Sequence, residues 1–206
     1  MTDDKSGKIS RGEPVRQRVL DAAERLLRDG RATYSMRDLA TEAGVSFVTP
    51  FNQFGGKAAI MRALSARRID AMIARFEAAP APRDLVARVR LAVELAVTMM
   101  LEEPEVNRGV MSWIGMAGPS PGQVLAHSTA LWALATQAEE VPSSGDRSRD
   151  VAELSVQLAL GFRGVLSFWT AGEIADEELV PAAQAIAATL VAGFGDRQHG
   201  AGRREQ

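Results

Sequence analysis

The chain has 206 residues, 46% hydrophobic, 24% charged and 5% aromatic, with no cysteine and a formal charge of −2. That length suits one medium unit or two small lobes sharing a core. The balance of apolar and charged residues is that of a globular chain, abundant alanine and few aromatics favour helix over sheet, and the lack of cysteine excludes disulfides, thiolate catalysis and Cys-based zinc sites.

The start, Met1-Thr2-Asp3-Asp4-Lys5, is polar and no hydrophobic signal core follows it. No apolar run reads as long and uncharged enough to span a bilayer, so a cytoplasmic protein without membrane attachment is expected. Charge is unevenly spread. Residues 1–79 carry 14 Lys/Arg against 10 Asp/Glu, and residues 80–206 carry 10 against 16. A basic end on an acidic body is a modest version of the footprint of a nucleic-acid surface.

Residues 1–12 have little to bury and read as a disordered tail. A first helix begins near Pro14, which a first turn tolerates. Its apolar face is Val15, Val19, Ala22, Ala23 and Leu26, and Gly30 ends it. A second helix starts after Ser35. With Asp38 three residues on, Ser35 makes a capping box, and Leu39, Ala40 and Ala43 form the buried side. Gly44 suits a left-handed stop. Ser46 is placed to cap a third helix through Gln53. Two short helices with so little between them cross steeply, which is helix-turn-helix geometry, and the second of such a pair can lie in the DNA major groove.

A fourth helix runs from Lys57 to about Ala79, with Met61, Ile69, Met72 and Phe76 on one stripe. It ends at Ala79-Pro80-Ala81-Pro82, where two prolines block continuation. A fifth, from Asp84 to Leu101, is apolar on most sides and reads as buried. A sixth opens at Pro104 and runs to Ile114. The Gly- and Pro-rich residues 115–122 form a loop by composition. A seventh runs from Gln123 to Glu140, and residues 141–145 form another break. The eighth spans Arg147 to Ala171, with Leu154, Leu158, Phe162, Val165, Leu166 and Trp169 along one side. Gly172 stops it. Asp176, Glu177 and Glu178 suit the start of a ninth, striped by Leu179, Ala183, Ile186, Leu190 and Phe194. A polar tail is expected over 196–206. No internal repeat or β-periodic stretch is present.

Residues 18–64 resemble the TetR family of bacterial transcription regulators. The matching residues are Arg18, Leu20, Ala22-Ala23, Leu26-Leu27, Gly30, Ser35, Leu39-Ala40, Ala43-Gly44-Val45-Ser46, Thr49, Phe51, Phe54, Lys57 and Leu64. The match covers the first third of the chain; the remainder is similar only as an all-helical pattern. The resemblance implies an all-α fold of about nine helices. Residues 13–79 would be a DNA-binding lobe of three helices plus the connecting fourth. Residues 80–195 would be a helical ligand-binding and dimerisation lobe. The expected function is a DNA-binding transcriptional regulator, a repressor released by a small apolar or amphipathic ligand. Its partners would be double-stranded operator DNA, a second copy of itself and an effector, with no cofactor or metal.

Ser35, Arg37, Ser46, Phe47, Val48, Thr49, Phe51, Asn52, Gln53 and Lys57 are the expected DNA-facing residues. Thr49 offers a hydroxyl and a methyl; Asn52 and Gln53 offer amides able to pair with adenine or bind phosphate. Phe47 and Val48 give only apolar contacts at positions the resemblance turns toward the groove. It also implies a phosphate contact for Lys57 and a DNA-reaching place for Arg37. Three positions depart from the family pattern: Phe51 replaces a Tyr, Gln53 replaces a common His, and Pro50 removes a backbone donor from the recognition helix. Together with the small basic excess they support a second reading, a helical ligand-binding protein or enzyme with a vestigial helix-turn-helix.

In the second lobe, Met99, Met111, Trp113, Trp132, Phe162, Arg163 and Trp169 are candidate pocket residues, although Met and aromatic stripes are more commonly plain core. Arg163 is the only charge between Glu153 and Glu173. A buried guanidinium needs a partner. The ordinary partner is a carboxylate of the protein or of a second copy; the sharper one is an anionic ligand group. Gly161 and Gly164 flank it and permit close helix approach. The resemblance implies that the last two helices pair as a four-helix bundle, with Leu158, Val165, Leu179, Ala183, Ile186, Leu190 and Phe194 as expected interface. No catalytic constellation emerges: the two histidines are far apart and no metal-spaced cluster or phosphate-binding Gly loop occurs.

Overall fold

A computed structural model of the chain describes residues 13–80, 82–114, 122–137 and 145–202. Tail 1–12, most of the loop after Ile114 and the break around Pro142 lie outside the described residues. Nine helices are present among those described: α1 Glu13–Arg28, α2 Met36–Glu42, α3 Thr49–Phe54, α4 Lys57–Ala78, α5 Leu85–Glu102, α6 Pro104–Ile114, α7 Gln123–Thr136, α8 Gly145–Ala171 and α9 Asp176–Gly202. The described chain has no strand.

Local chemistry sets most boundaries. Ser35 accepts from the Asp38 backbone N–H while the Asp38 carboxylate accepts from the Ser35 N–H, a complete capping box. Asp84 caps α5 through the Ala87 N–H. Gly44, between α2 and α3, has φ 62°, a left-handed conformation that lets the chain reverse there. α3 departs from expectation. Its N-cap is Val48, with no side-chain cap, and the Ser46 hydroxyl bonds that of Thr49 at 2.7 Å. Pro50 lies in the first turn, where a missing N–H costs no helical bond, so it starts the helix rather than breaking it. The chain also stays helical to Gly202 instead of opening into a tail at 196. No proline interrupts that stretch, and single glycines cost a helix only about 1 kcal/mol each.

The buried residues form two clusters. The N-terminal one gathers Val19, Ala23, Leu26 and Leu27 of α1, Leu39 of α2, Ile60, Met61 and Leu64 of α4, and Val106 and Val110 of α6. The C-terminal one gathers Met72 and Phe76 of α4 with α5, α7, α8 and α9, centred on Val93, Trp132, Leu158, Trp169 and Leu179. α4 therefore serves both, its first half in one core and its second half in the other. α6 reaches back as well. At Gly109 an added Cβ would lie 2.7 Å from Leu27 Cδ2, so the absent side chain allows α6 to press on α1.

Two corrections concern α8 and α9. The segments Ser148–Ala171 and Asp176–Gly195 are long and apolar enough to cross a membrane by length and composition, contrary to the sequence reading, although each is partly buried in the protein. Each carries a core stripe on one side and open apolar positions on the other. Secondly, Leu158, Leu179, Ala183 and Phe194, expected at a dimer interface, are buried in the protomer's own core. Val165 and Leu190 pack against that core half-buried. Ile186 and Leu190 close over Gly161, where an added Cβ would meet them at 3.2 and 3.3 Å. The apolar side chains left open are Leu160 and Phe168, 55% and 59% exposed, with Val180 on α9. A stripe that packs one protomer cannot also face a partner; the free face lies on the next helical row.

Candidate functional site

The helix-turn-helix presents α3 outward. Pro50 is its buried residue, while Phe47, Val48 and Phe51 are 49%, 56% and 42% exposed. The Phe47 and Phe51 rings meet edge-on at 5.7 Å, and the Arg37 guanidinium lies 5.3 Å from the Phe47 centroid. Asn52 and Ser46 are exposed, Thr49 and Gln53 half-buried. Large aromatics open to water on a short, polar-flanked helix are a recognition surface rather than a core.

The cations sort clearly. Arg25 pairs with Glu42, Arg67 with Asp21 and Glu24, Arg68 with Glu24 and Glu103, and Arg75 with Glu102. Those charges are already spent within the protein. Arg16, Arg18 and Arg37, all near α3, form no ion pair among the described residues. Arg16 donates to the Gln53 carbonyl and covers the Phe54 ring at 4.2 Å, and Arg18 donates to the Gly44 carbonyl at 3.2 Å. These two hold the ends of the turn and of α3, and they add positive charge at its rim. Along the first helix they lie off the apolar face of Val15, Val19, Ala22, Ala23 and Leu26; only the fold brings them beside α3.

Two expected DNA contacts have other work here. The Ser35 hydroxyl is engaged with Asp38. Lys57 does not reach outward freely. Its ammonium donates to the carbonyls of Ala32 and Tyr34, both at 2.9 Å, over the Tyr34 ring at 3.9 Å and 4.9 Å from the Trp113 centroid. Burial lowers its pKa. It clamps the loop before α2 to the start of α4 and to α6.

The second element is a cavity between α4, α6, α7 and α8, about 70 Å³ in volume and open at its mouth. Its lining, apolar with a few polar groups, is that of a small-molecule site, but it is smaller than the few hundred Å³ such sites usually enclose, so a ligand would have to move side chains to enter. Trp132 and Phe162, edge to face at 5.3 Å, line it with Met72, Met100, Met111 and Leu131. Of the seven residues singled out in sequence, the fold brings Met111, Trp132, Phe162 and Arg163 to this cavity. The other three go elsewhere. Met99 is buried in the C-terminal core, Trp113 packs on the N-terminal one, and Trp169 is buried with its indole N–H donating to Asp176 at 2.7 Å under the Arg108 guanidinium. Helical periodicity gives a residue's face, not which neighbour that face meets.

Polar groups at the cavity are unusual. Asn107 is 1% exposed; its amide N–H groups donate to the carbonyls of Met99 and Met100 at 3.0 and 2.9 Å, and its oxygen has no partner. Arg68 is 9% exposed and its Nε–H also has none. A buried polar atom left so costs about 1–3 kcal/mol. Arg163 forms no ion pair among the described residues; its Nη1 approaches the Met111 sulfur at 3.1 Å. Burial lowers its pKa. No carboxylate of the described residues is its partner. Sequence gave no sign of Asn107 or Arg68, since one asparagine and one arginine on amphipathic helices look like any others.

No family model and no curated protein sequence matches the chain. Solved structures do. A TetR transcriptional regulator from Rhodococcus sp. RHA1 superimposes with a TM-score of 0.70 at 18% identity, over 87% of this chain and 98% of that one. A TetR-family transcriptional regulator from Streptomyces coelicolor gives a TM-score of 0.60 at 18% identity, over 93% and 86%. A TetR-like transcriptional regulator from Rhodococcus sp. RHA1 gives 0.50 at 18%, over 90% and 100%. With a helix-turn-helix at its N-terminal end and a helical body behind it, the chain has the fold of the TetR transcriptional regulators.

Proposed function

We propose that this protein is a DNA-binding transcriptional regulator of the TetR type, working as a homodimer that a small molecule releases from its operator. The observation that carries the reading is the outward face of α3. Thr49, Asn52 and Gln53 supply hydrogen-bonding groups, and Phe47, Val48 and Phe51 supply apolar contact suited to thymine methyls. Arg16, Arg18 and Arg37 ring it with charge that no carboxylate neutralises among the described residues. The exposed row of Leu160 and Phe168 on α8, with Val180 on α9, supports an isologous pairing of two copies. Two heads so joined would read a two-fold operator. Ligand in the cavity would act by higher affinity for a form in which the heads no longer match the half-sites.

A salt-dependent gel shift on the promoter region beside the protein's own gene tests this. Binding should weaken steeply with salt, and Thr49→Ala should change preference among operator variants by about 1–3 kcal/mol. Arg37→Ala should instead weaken all sequences alike. Absence of any salt-dependent binding would leave the helix-turn-helix vestigial.

A further inference from the structure

The cavity has polarity of one sign. Two guanidinium residues, Arg68 and Arg163, stand at its wall with Asn107 and two serines, and no carboxylate lines it. The two cations are not equivalent. Arg68 gives its charge to Glu24 and Glu103 through Nη2, and its buried Nε–H has no partner. Arg163 keeps its charge. A thioether is a weak acceptor and cannot neutralise a guanidinium. Arg163 lies on the cavity side of α8 with Ala159, Phe162 and Leu166. Asn107 and Arg68 also stand at this wall, but the Asn107 oxygen and the Arg68 Nε–H that lack partners are themselves buried, so Arg163 is the group left to meet a ligand.

We propose that the effector is an amphipathic monocarboxylate, its head against Arg163 and its apolar body along Trp132 and Phe162. This rests on the ligand-responsive reading above. A carboxylate accepts two parallel hydrogen bonds from a guanidinium, at a site where burial strengthens them. Met111 has the flexible side chain needed to yield its place. A cationic ligand would meet the guanidinium of Arg163 with no carboxylate of the described residues in the lining. A neutral one would leave Arg163 still unpaired.

The test compares three probes with one tail and different heads: decanoate, decanol and decylammonium, each below its aggregation concentration. Binding is read by tryptophan emission and by melting temperature, with Trp132→Phe to assign the optical signal. Decanoate should bind about tenfold more tightly than decanol, and decylammonium should not bind. Arg163→Met should bring decanoate down to the decanol level while decanol is unchanged, and Arg163→Lys should keep part of the preference. Equal affinities in the wild type, a preference for the ammonium, or an undiminished decanoate preference in Arg163→Met would each overturn the carboxylate assignment and leave the ligand-responsive reading standing. No response to any probe, in protein that still binds DNA, would remove that reading and this inference with it.

Discussion

The two cores differ in completeness. The N-terminal core leaves one buried polar atom unmatched, the Tyr34 hydroxyl, but its cation is met: the half-buried ammonium of Lys57 has two carbonyls and two aromatic rings around it. The C-terminal core is incomplete twice. Inside, it leaves a cavity with a guanidinium, Arg163, that no carboxylate of the described residues meets; outside, it leaves Leu160 and Phe168 open to water. A cation whose donors are met holds structure. One whose donors are not met, beside empty space, is a place for something else. On the proposed function, the head would have to be rigid to match a groove, whereas the body behind it would have to accept a ligand and a second copy.

The largest expected effect tests the outer gap. Leu160→Glu combined with Phe168→Glu should turn a concentration-dependent dimer into a monomer in sedimentation and lower operator affinity roughly a hundredfold or more, because the second head no longer binds as a tethered partner. Melting of each protomer should change little. A wild type that sediments as a monomer at micromolar concentration would erase this half of the contrast. Leu190→Glu makes the control. Leu190 packs over Gly161 inside the protomer, so its charge should unfold the body and not merely separate the copies.

Lys57→Met comes next. It strips two carbonyls of their donor and should cost about 2 kcal/mol in urea unfolding. Arg163→Met should leave stability unchanged or slightly raised, since it removes a desolvated charge with no counter-ion. Similar losses from both would abolish the distinction drawn between the two cations.

Ser35→Ala should cost the head about 1 kcal/mol by loss of the cap. It also carries the pH dependence. Hydrogen bonds from the Ser35 backbone and side chain hold the Asp38 carboxyl below its ordinary pKa. Hydrogen bonding to Arg75 does the same for Glu102. At Glu103 burial works the other way, but the bonds from Arg68 and Arg28 prevail and the pKa is lowered. A depressed carboxylate contributes stability above its unfolded pKa, and that contribution is lost as pH falls through the folded pKa. Unfolding should therefore become easier as pH drops below about 4, and the decline should be shallower in Ser35→Ala. A head equally stable across that range would show that these bonds do not survive in solution.

What the chain itself determined is what short-range chemistry determines. The capping box at Ser35 and Asp38, the left-handed Gly30, Gly44 and Gly172, the prolines after α4 and the apolar periodicities placed most helix boundaries to within a residue or two, the exceptions being the ends of α7, at Thr136 rather than Glu140, and of α9, which runs on to Gly202. These signals act between residues close in sequence, so they can be read one segment at a time. The helix-turn-helix was legible for the same reason. The tertiary structure decided which apolar face meets which. It put Trp113 on the N-terminal core instead of in the cavity, moved the open row of α8 from Leu158 to Leu160, turned Lys57 inward, and carried Arg16 and Arg18 to the recognition helix. It also decided which polar atoms go unmatched. Asn107 and Arg68 are ordinary residues on ordinary helices until docking gives the Asn107 amide to the carbonyls of α5 and Arg68 Nη2 to Glu24 and Glu103, and leaves the Asn107 oxygen and the Arg68 Nε–H buried without a partner. Partnership across long sequence separations depends on helix docking, and that is set by the packing of the whole body rather than by any segment.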